Sequence, residues 1–224
     1  MKCAIIIQAR LRSTRLPGKI LLPLPSGRTC IEEVIYRCRQ AKRAHQVIVA
    51  MPGETKQDEE DSKILEPYTS GAAIVYGPQD DVLERYRRAA NYTGADIVVR
   101  VTSDCPLICP DVIDQVIAQR NVHALKYCAN NTPRTFPHGY DCEAFTARAL
   151  YWHAENSWDK ESREHVTTAM RKSVEGSQHI NVACPDGDFS HLRWTLDTID
   201  DYVRICRVFE GAKGASNLLE VIKQ

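Results

Sequence analysis

The chain opens on an apolar run that turns abruptly into a cationic loop. Cys3-Ala4-Ile5-Ile6-Ile7 is short and β-branched, the pattern of a strand buried on both faces. Gln8 and Ala9 lead from it into Arg10, Arg12, Arg15 and Lys19, interleaved with Ser13, Thr14, Pro17 and Gly18. A strand that ends in a basic, glycine-containing loop is where an open α/β sheet holds a phosphorylated ligand. Backbone N–H groups of such a loop form an anion-binding nest. Arg adds a planar fork for phosphate oxygens and Lys a movable point charge. Most runs of cations are solvated surface. Here, however, 29 basic residues balance 29 acidic ones, so the excess in the loop is local.

That balance removes bulk electrostatic binding to nucleic acid or to an anionic membrane from the expected partners. No window reads as a membrane span, and the N-terminal apolar run is cut at Gln8 and Arg10, unlike a signal peptide. The nine cysteines are odd in number and contain no Cys-x-x-Cys pair. They read as reduced thiols, mostly in the core, of a cytoplasmic protein. Cys105 and Cys109 with His138 or His165 match no common zinc spacing.

After the loop, Ile20 to Pro25 reads as extended, and Cys30 to about Arg43 as an amphipathic helix. Gln46–Met51, Ala72–Tyr76 and Asp96–Val101 read as buried strands, separated by helices through Ile64-Leu65 and from Val82 to Ala90. This β-α-β-α-β-α-β order implies a doubly wound, mostly parallel sheet with right-handed crossovers. A helix from Pro110 to Ala118 and a strand from Ala124 to Cys128 follow. Next comes a long irregular loop, Asn130 to Gly139, of the kind that is functional or mobile in compact domains. Tyr140 to Phe145 alternates as a strand with Asp141 and Glu143 on one face, suited to acid–base work, to hydroxyl recognition or simply to a wet sheet edge. Thr146 to about Ser157 reads as a helix whose Tyr151 and Trp152, with Trp158 just beyond, serve packing. A further helix opens at Ser162, and His179 to Cys184 reads as a strand. Helices from Tyr202 to Glu210, capped by Asp200 and Asp201, and from Ser216 to Lys223 close the chain.

Separated segments, in order along the chain, carry a resemblance to a known family. They are QARLRSTRLPGK from Gln8, GPQDDVLERY from Gly77, RVTSDCPL from Arg100, PHGYDCEAF from Pro137 with REHVT from Arg163, and LRWTLDT from Leu192. Together they are similar to the sugar-acid cytidylyltransferases, and most to the branch named for spore-coat polysaccharide synthesis. The resemblance implies a three-layer α/β/α nucleotidyltransferase fold with a mostly parallel, Rossmann-like sheet. It implies a single domain over 1–224, with a smaller substrate-binding or dimerisation excursion at about 121–190, and a homodimer.

In that family the loop's Arg and Lys bind the triphosphate of CTP, which assigns Arg10, Arg15 and Lys19 to it and leaves Arg12 open. Gln8, Ala9, Gly18, Thr102 and Ser103 fall in the same nucleotide-binding segments. Asp81 and Arg85 either bind nucleotide or anchor their helix. Asp104 matches the family's Mg²⁺ carboxylate, and Asp197 is its expected partner. His138, Gly139, Asp141 and Glu143 match an element that lines the sugar-acid pocket, with Tyr140 standing where relatives often have Leu. Glu164 and His165 are expected in the substrate pocket without assigned chemistry.

The activity implied is Mg²⁺-dependent transfer of CMP from CTP to an acidic sugar or related acid, with release of pyrophosphate. Arg15, Lys19, Asp104 and Asp197 would carry it. A nucleotide-sugar-dependent glycosyltransferase shares the architecture, but such enzymes usually carry an Asp-x-Asp motif after a strand. The one here, Asp186-Gly187-Asp188, lies in a turn far along the chain from the nucleotide loop. A nucleotide-binding module without catalysis is the third reading.

Overall fold

The computed structural model describes residues 1–173 and 179–212. Four parallel strands form the centre of the sheet: β1 (Cys3–Gln8), β2 (Gln46–Pro52), β3 (Ala73–Gly77) and β4 (Ile97–Thr102). Three helices connect them, α1 (Cys30–Cys38), α2 (Lys56–Leu65) and α3 (Val82–Thr93). The described strands are ordered β3-β2-β1-β4, followed by β6 (Glu143–Thr146), β5 (Tyr127–Ala129) and β7 (His179–Asn181). β6 runs antiparallel to β4 and to β5, while β7 runs parallel to β5.

Successive residues of β1 feed opposite layers. Ile5 and Ile7 join Ile31, Val34 and Ile35 of α1, Val112 and Val116 of α4 (Pro110–Val122) and Ile205 and Phe209 of α8 (Ile199–Ala212). Ile6 faces the other way, into Leu83 and Tyr86 of α3, Leu150 of α5 (Ala147–Asn156) and Met170 of α7 (Thr168–Ser173). The result is a three-layer α/β/α sandwich whose central strand is apolar on both faces, as a doubly covered parallel strand must be.

The chain winds from β1 outward through β2 to β3, then crosses back to place β4 on the other side of β1. Open α/β sheets bind ligands at such a switch point, beyond the carboxyl ends of the strands. Here that crevice lies between the loop after Gln8 and the loop after Thr102.

Several boundaries depart from expectation for local reasons. α1 stops at Cys38 rather than near Arg43, because the Asp114 carboxylate captures the backbone N–H groups of Lys42 and Arg43 at 2.9 and 2.8 Å. Lys19–Leu21 is a 3₁₀ turn, where extended chain was expected from Ile20. α4 continues past Ala118 to Val122. β5 begins only at Tyr127, since Ala124 has φ +50° at the end of α4. β6 begins only at Glu143, so Asp141 lies outside it. The Asn130 side chain takes the place of a strand partner there, accepting from Cys142 N–H and donating to Tyr140 O.

Nor is β6 an edge; it lies between β4 and β5. α5 buries Ala147, Leu150, His153 and Ala154, and that stripe leaves Trp152 on the opposite side, 57 % exposed, with Trp158 at 84 %. Neither tryptophan is core. The helix expected from Ser216 to Lys223 lies outside the described residues.

Candidate active site

Gly18 shapes the nucleotide loop. Its φ of +69° suits a residue without Cβ, and its N–H donates to Leu11 O at 3.1 Å, closing the segment between them. The 3₁₀ turn that follows starts with Lys19, whose stem is buried and whose ammonium reaches the crevice.

There it lies between two carboxylates, 2.6 Å from Asp104 Oδ2 and 2.8 Å from Asp197 Oδ1. The two acids are 93 residues apart in sequence, and their backbones are tied together where Leu196 N–H donates to Asp104 O at 2.8 Å. Arg15 also reaches Asp197 Oδ1 at 2.7 Å, and Arg193 takes Oδ2 at 2.7 Å. Burial alone would depress the Lys19 pKa and raise that of Asp197, but Asp104 first and Asp197 second reverse the shift of Lys19, and Lys19 with Arg15 and Arg193 reverses that of Asp197. Lys19 is held charged and Asp197 ionised.

A cleft of about 200 Å³ opens over this cluster. From the first loop come Gln8, Ala9, Arg10, Arg15 and Lys19; from the end of β4 come Thr102, Ser103 and Asp104; Asp197 closes one side. Ser13 and Thr14, absent from the expected set, also line it. Glu164 and His165, at the end of α6 (Lys160–His165), also line it. Arg85 lines the cleft from α3 while 1 % exposed, and its Nε and Nη1 have no hydrogen-bond partner among the described residues. Desolvation lowers its pKa to about 10, so the guanidinium remains charged at neutral pH. A buried cation with unused donors, beside the equally unpartnered Gln8 Oε1, is the polar imbalance expected of a binding site.

Other expected residues lie elsewhere. Asp81 anchors its helix: it caps α3 by accepting from Glu84 N–H at 2.9 Å and pairs with Arg163 of α6. Gly139 has φ +122°, and a Cβ there would come within 2.7 Å of the Trp194 carbonyl, so close approach explains the glycine. Its neighbour Tyr140 is buried against Trp194 and Phe136, in the core rather than in a pocket. Asp141 is engaged by Arg134. Glu143 does not reach the cleft either. At 2 % exposure, its Oε2 accepts from Arg100 at 2.6 Å, and its Oε1 accepts from Tyr127 Oη at 2.5 Å and Thr167 Oγ1 at 2.9 Å. Arg12 pairs with Asp61 at 2.7 Å and is not part of the cleft lining.

His138 is half-buried beside the cleft and linked to it by Arg193. That guanidinium meets His138 Nδ1 at 3.1 Å, Asp197 at 2.7 Å and Asp201 at 3.0 Å. Burial and the nearby Arg134 and Arg193 lower the His138 pKa despite Asp141. Sequence reasoning missed Arg193, because it lies in non-helical chain before α8, where no regular spacing announces its reach to Asp197. Asp201, expected as a cap, holds the N–H groups of Asp197 and Thr198. The Asp186–Asp188 turn lies outside the cleft lining, where Asp188 accepts from Ser190 N–H.

Asp104 and Asp197 direct hard oxygen donors at one shared point, a donor set suited to Mg²⁺ or Mn²⁺ rather than zinc. No cluster of three or more His, Cys, Asp or Glu occurs among the described residues. A metal held by this pair would therefore need water or phosphate oxygens to complete its shell, as Mg²⁺ commonly does. Nine cysteines are free thiols, eight of them buried. No helix among the described residues is long and apolar enough to cross a membrane.

Comparison with known proteins places this geometry. An uncharacterised protein of Methanocaldococcus jannaschii, MJ1063, is 32% identical over 90% of this chain and 81% of its own length. The spore coat polysaccharide biosynthesis protein SpsF of Bacillus subtilis is 27% identical over 92% of this chain and 86% of its own. 3-Deoxy-manno-octulosonate cytidylyltransferase of Chloroherpeton thalassium is 32% identical, but the match spans only 58% of this chain and 50% of that enzyme. Among solved structures, a cytidylyltransferase from Leptospira borgpetersenii superposes with a TM-score of 0.87, at 30% identity, covering 100% of this chain and 93% of that one. A CMP:2-keto-3-deoxy-manno-octonic acid synthetase complexed with CTP shares the fold, with a TM-score of 0.67 at 17% identity, covering 94% of this chain and 99% of that one. The cytidylyltransferase family model matches residues 4–178, a span that includes the nucleotide loop, Asp104 and α6, and the chain belongs to the cytidylyltransferase family.

Proposed function

We propose that the chain transfers CMP from CTP to a hydroxyl of an acidic sugar, or of a related acid, and releases pyrophosphate. The observation that carries this reading is the Lys19 ammonium set between Asp104 and Asp197 under the Arg-rich loop, in a cytidylyltransferase fold. The acceptor oxygen bonds to the α-phosphorus, the bond to the β-phosphate bridging oxygen breaks, and the hydroxyl proton leaves to water or to a carboxylate. Such a transfer depends on positioning and charge neutralisation rather than on covalent catalysis.

Arg10, Arg15 and Lys19 supply positive charge for the triphosphate, and therefore for the leaving pyrophosphate. Arg85 offers its unused N–H groups to a nucleotide acceptor atom in the cleft, with Gln8, Thr102 and Ser103 around it. Asp104 and Asp197 would hold Mg²⁺ or Mn²⁺, which when bound neutralises charge on the α-phosphate. Arg193 fixes the Asp197 carboxylate and joins it to His138, the side from which an acidic acceptor would be met. A relative of the same fold, the mycobacterial Rv0371c protein, has been crystallised with manganese. The reading further places the protein in the cytoplasm as a homodimer that covers Trp152 and Trp158, with 121–190 as its acceptor and dimer segment. By analogy with SpsF, polysaccharide assembly would consume the product.

The test is Mg²⁺-dependent pyrophosphate release, crossing four nucleoside triphosphates with sugar acids and phosphonates. Release with CTP and one acid supports the reading. No release across the panel, while CTP still raises the melting temperature, keeps the nucleotide site and discards the acceptor class.

A further inference from the structure

Between α6 and α7 the backbone takes a conformation that a β-branched residue rarely adopts. Val166 has φ +61° and ψ −57°, and Thr167 N–H donates back to His165 O at 2.6 Å, forming a three-residue turn. A valine stays in this region only where its surroundings hold it, and such outliers cluster at functional sites. Two restraints are present. The Val166 side chain is fully buried in the layer with Ile6, Leu83 and Met170. Thr167 is also fully buried, and its hydroxyl donates to Glu143 Oε1, fastening the turn to the sheet through the Arg100–Glu143–Tyr127 knot.

The turn presents the two residues before it. Glu164 and His165 line the same cleft as the nucleotide loop. The rest of α6 is tethered independently, because Arg163 pairs with Asp81 and donates to Ala154 O at 2.6 Å. Only the His165 end therefore depends on the Val166 turn for its placement.

We infer that Glu143 and Thr167 are positioning residues: their buried hydrogen bond locks the strained Val166 turn, which holds Glu164 and His165 in the cleft. The inference rests on reading that cleft as the nucleotide site. It gives Glu143, a residue without access to substrate, an effect on the reaction that travels through α6.

Thr167→Val removes the hydroxyl at nearly constant volume, and Thr167→Ser retains it. The first readout is the His165 imidazole resonance of the nucleotide-free protein, assigned by its loss in His165→Asn. Thr167→Val should shift that resonance toward the value of an unstructured histidine, and Thr167→Ser should restore it. The second readout is pyrophosphate release, where Thr167→Val should lower kcat/KM by up to about 10²-fold, as a small misplacement of an active-site group can. In a Glu164→Ala/His165→Ala background the same substitution should have no further effect, because the three act as a unit.

An unmoved His165 resonance in folded Thr167→Val, or an equal activity loss in both backgrounds, would overturn the inference and leave the hydrogen bond a stabilising contact only. A wild-type protein that releases no pyrophosphate sinks the proposed reaction instead. The nucleotide-free resonance still decides the positioning role.

Discussion

Two of the cation–carboxylate clusters in this molecule are built from the same chemistry and set to opposite uses. In the cleft, Lys19 lies between Asp104 and Asp197, with Arg15 61 % and Arg193 36 % exposed at their side chains. Inside the sheet, Arg100 pairs with a Glu143 that is sealed from water and also bonded to Tyr127 and Thr167. Every oxygen of Glu143 has a protein donor, so nothing is gained by admitting a ligand. The cleft cluster can trade one cation for another, because Lys19, Arg15 and Arg193 all converge on Asp197 and the two arginines are partly open to water. Access, not charge, separates a site from a strut.

The largest expected difference is in folding. Glu143→Ala leaves Arg100, whose side chain is only 17 % exposed, without its carboxylate, and breaking such a largely buried pair typically costs about 3–5 kcal/mol. Urea unfolding should show that loss, whereas Asp104→Asn should stay within about 1 kcal/mol of wild type, because its side chain is 25 % exposed and Lys19 keeps Asp197 as a partner. Equal losses would erase the distinction between the clusters.

Activity should reverse the order. Lys19→Met removes the ammonium from the proposed pyrophosphate site and should lower kcat by about 10²–10³-fold, or about 2.7–4 kcal/mol, as loss of one preorganised electrostatic contact does. Because Lys19 occupies the point that Asp104 and Asp197 share, the same variant should bind Mn²⁺ more tightly in the absence of nucleotide, as read by electron paramagnetic resonance. Unchanged or weaker Mn²⁺ binding would show that ammonium and metal do not compete for those carboxylates.

The contrast also explains what was legible in the sequence. Part of the cleft follows features with a local signal, the loop after β1 and the acid after β4. A parallel sheet then brings their strand ends together. Asp104 was a candidate for that reason, while its metal role and the choice of Asp197 came from the resemblance of RVTSDCPL and LRWTLDT to the family's segments. The sealed cluster has no such signal. Glu143 and Asp141 alternate as residues of one strand face, yet Asn130 ends the pairing between them, and that contact joins residues ten and twelve positions apart through a long loop. Nor could Val166 be foreseen as the hinge of α6, since β-branching argues against a positive φ. Arg193 carried no such signal either, since the chain from Arg193 to Asp197 is not helical and its bond to His138 depends on the parallel bridge between their segments.

Asp201 lies between the extremes, buried like Glu143 but bonded to the rim cation Arg193. Burial alone would raise its pKa. Arg193, the Thr198 hydroxyl and the Asp197 N–H instead lower it from 3.8 to about 2. A depressed carboxyl stabilises the fold fully above the unfolded value near 3.8, and that contribution is lost as pH falls toward 2. It amounts to about 2 kcal/mol. Asp201→Asn should therefore be less stable at neutral pH and show a flatter decline between these values in chemical unfolding. A parallel decline would place the acid sensitivity elsewhere.

The smallest effect belongs to the loop's fourth cation, which separates charge in the cleft from charge beside it. Arg12 occurs two residues from Arg10 and three from Arg15, so composition cannot distinguish them. The structure turns Arg12 to Asp61, with 49 % of its side chain exposed, while Arg10 and Arg15 line the cleft. An exposed ion pair contributes about 0.2–1 kcal/mol, and salt screens most of that. Arg12→Ala should change unfolding by no more than this and leave pyrophosphate release near the wild-type rate. Arg15→Ala should impair release while stability holds. If Arg12→Ala instead matched Arg15→Ala in activity, the loop would be acting through its summed charge rather than through placed side chains. The contrast between an open site and a sealed strut would then need a third category, the field of the loop as a whole.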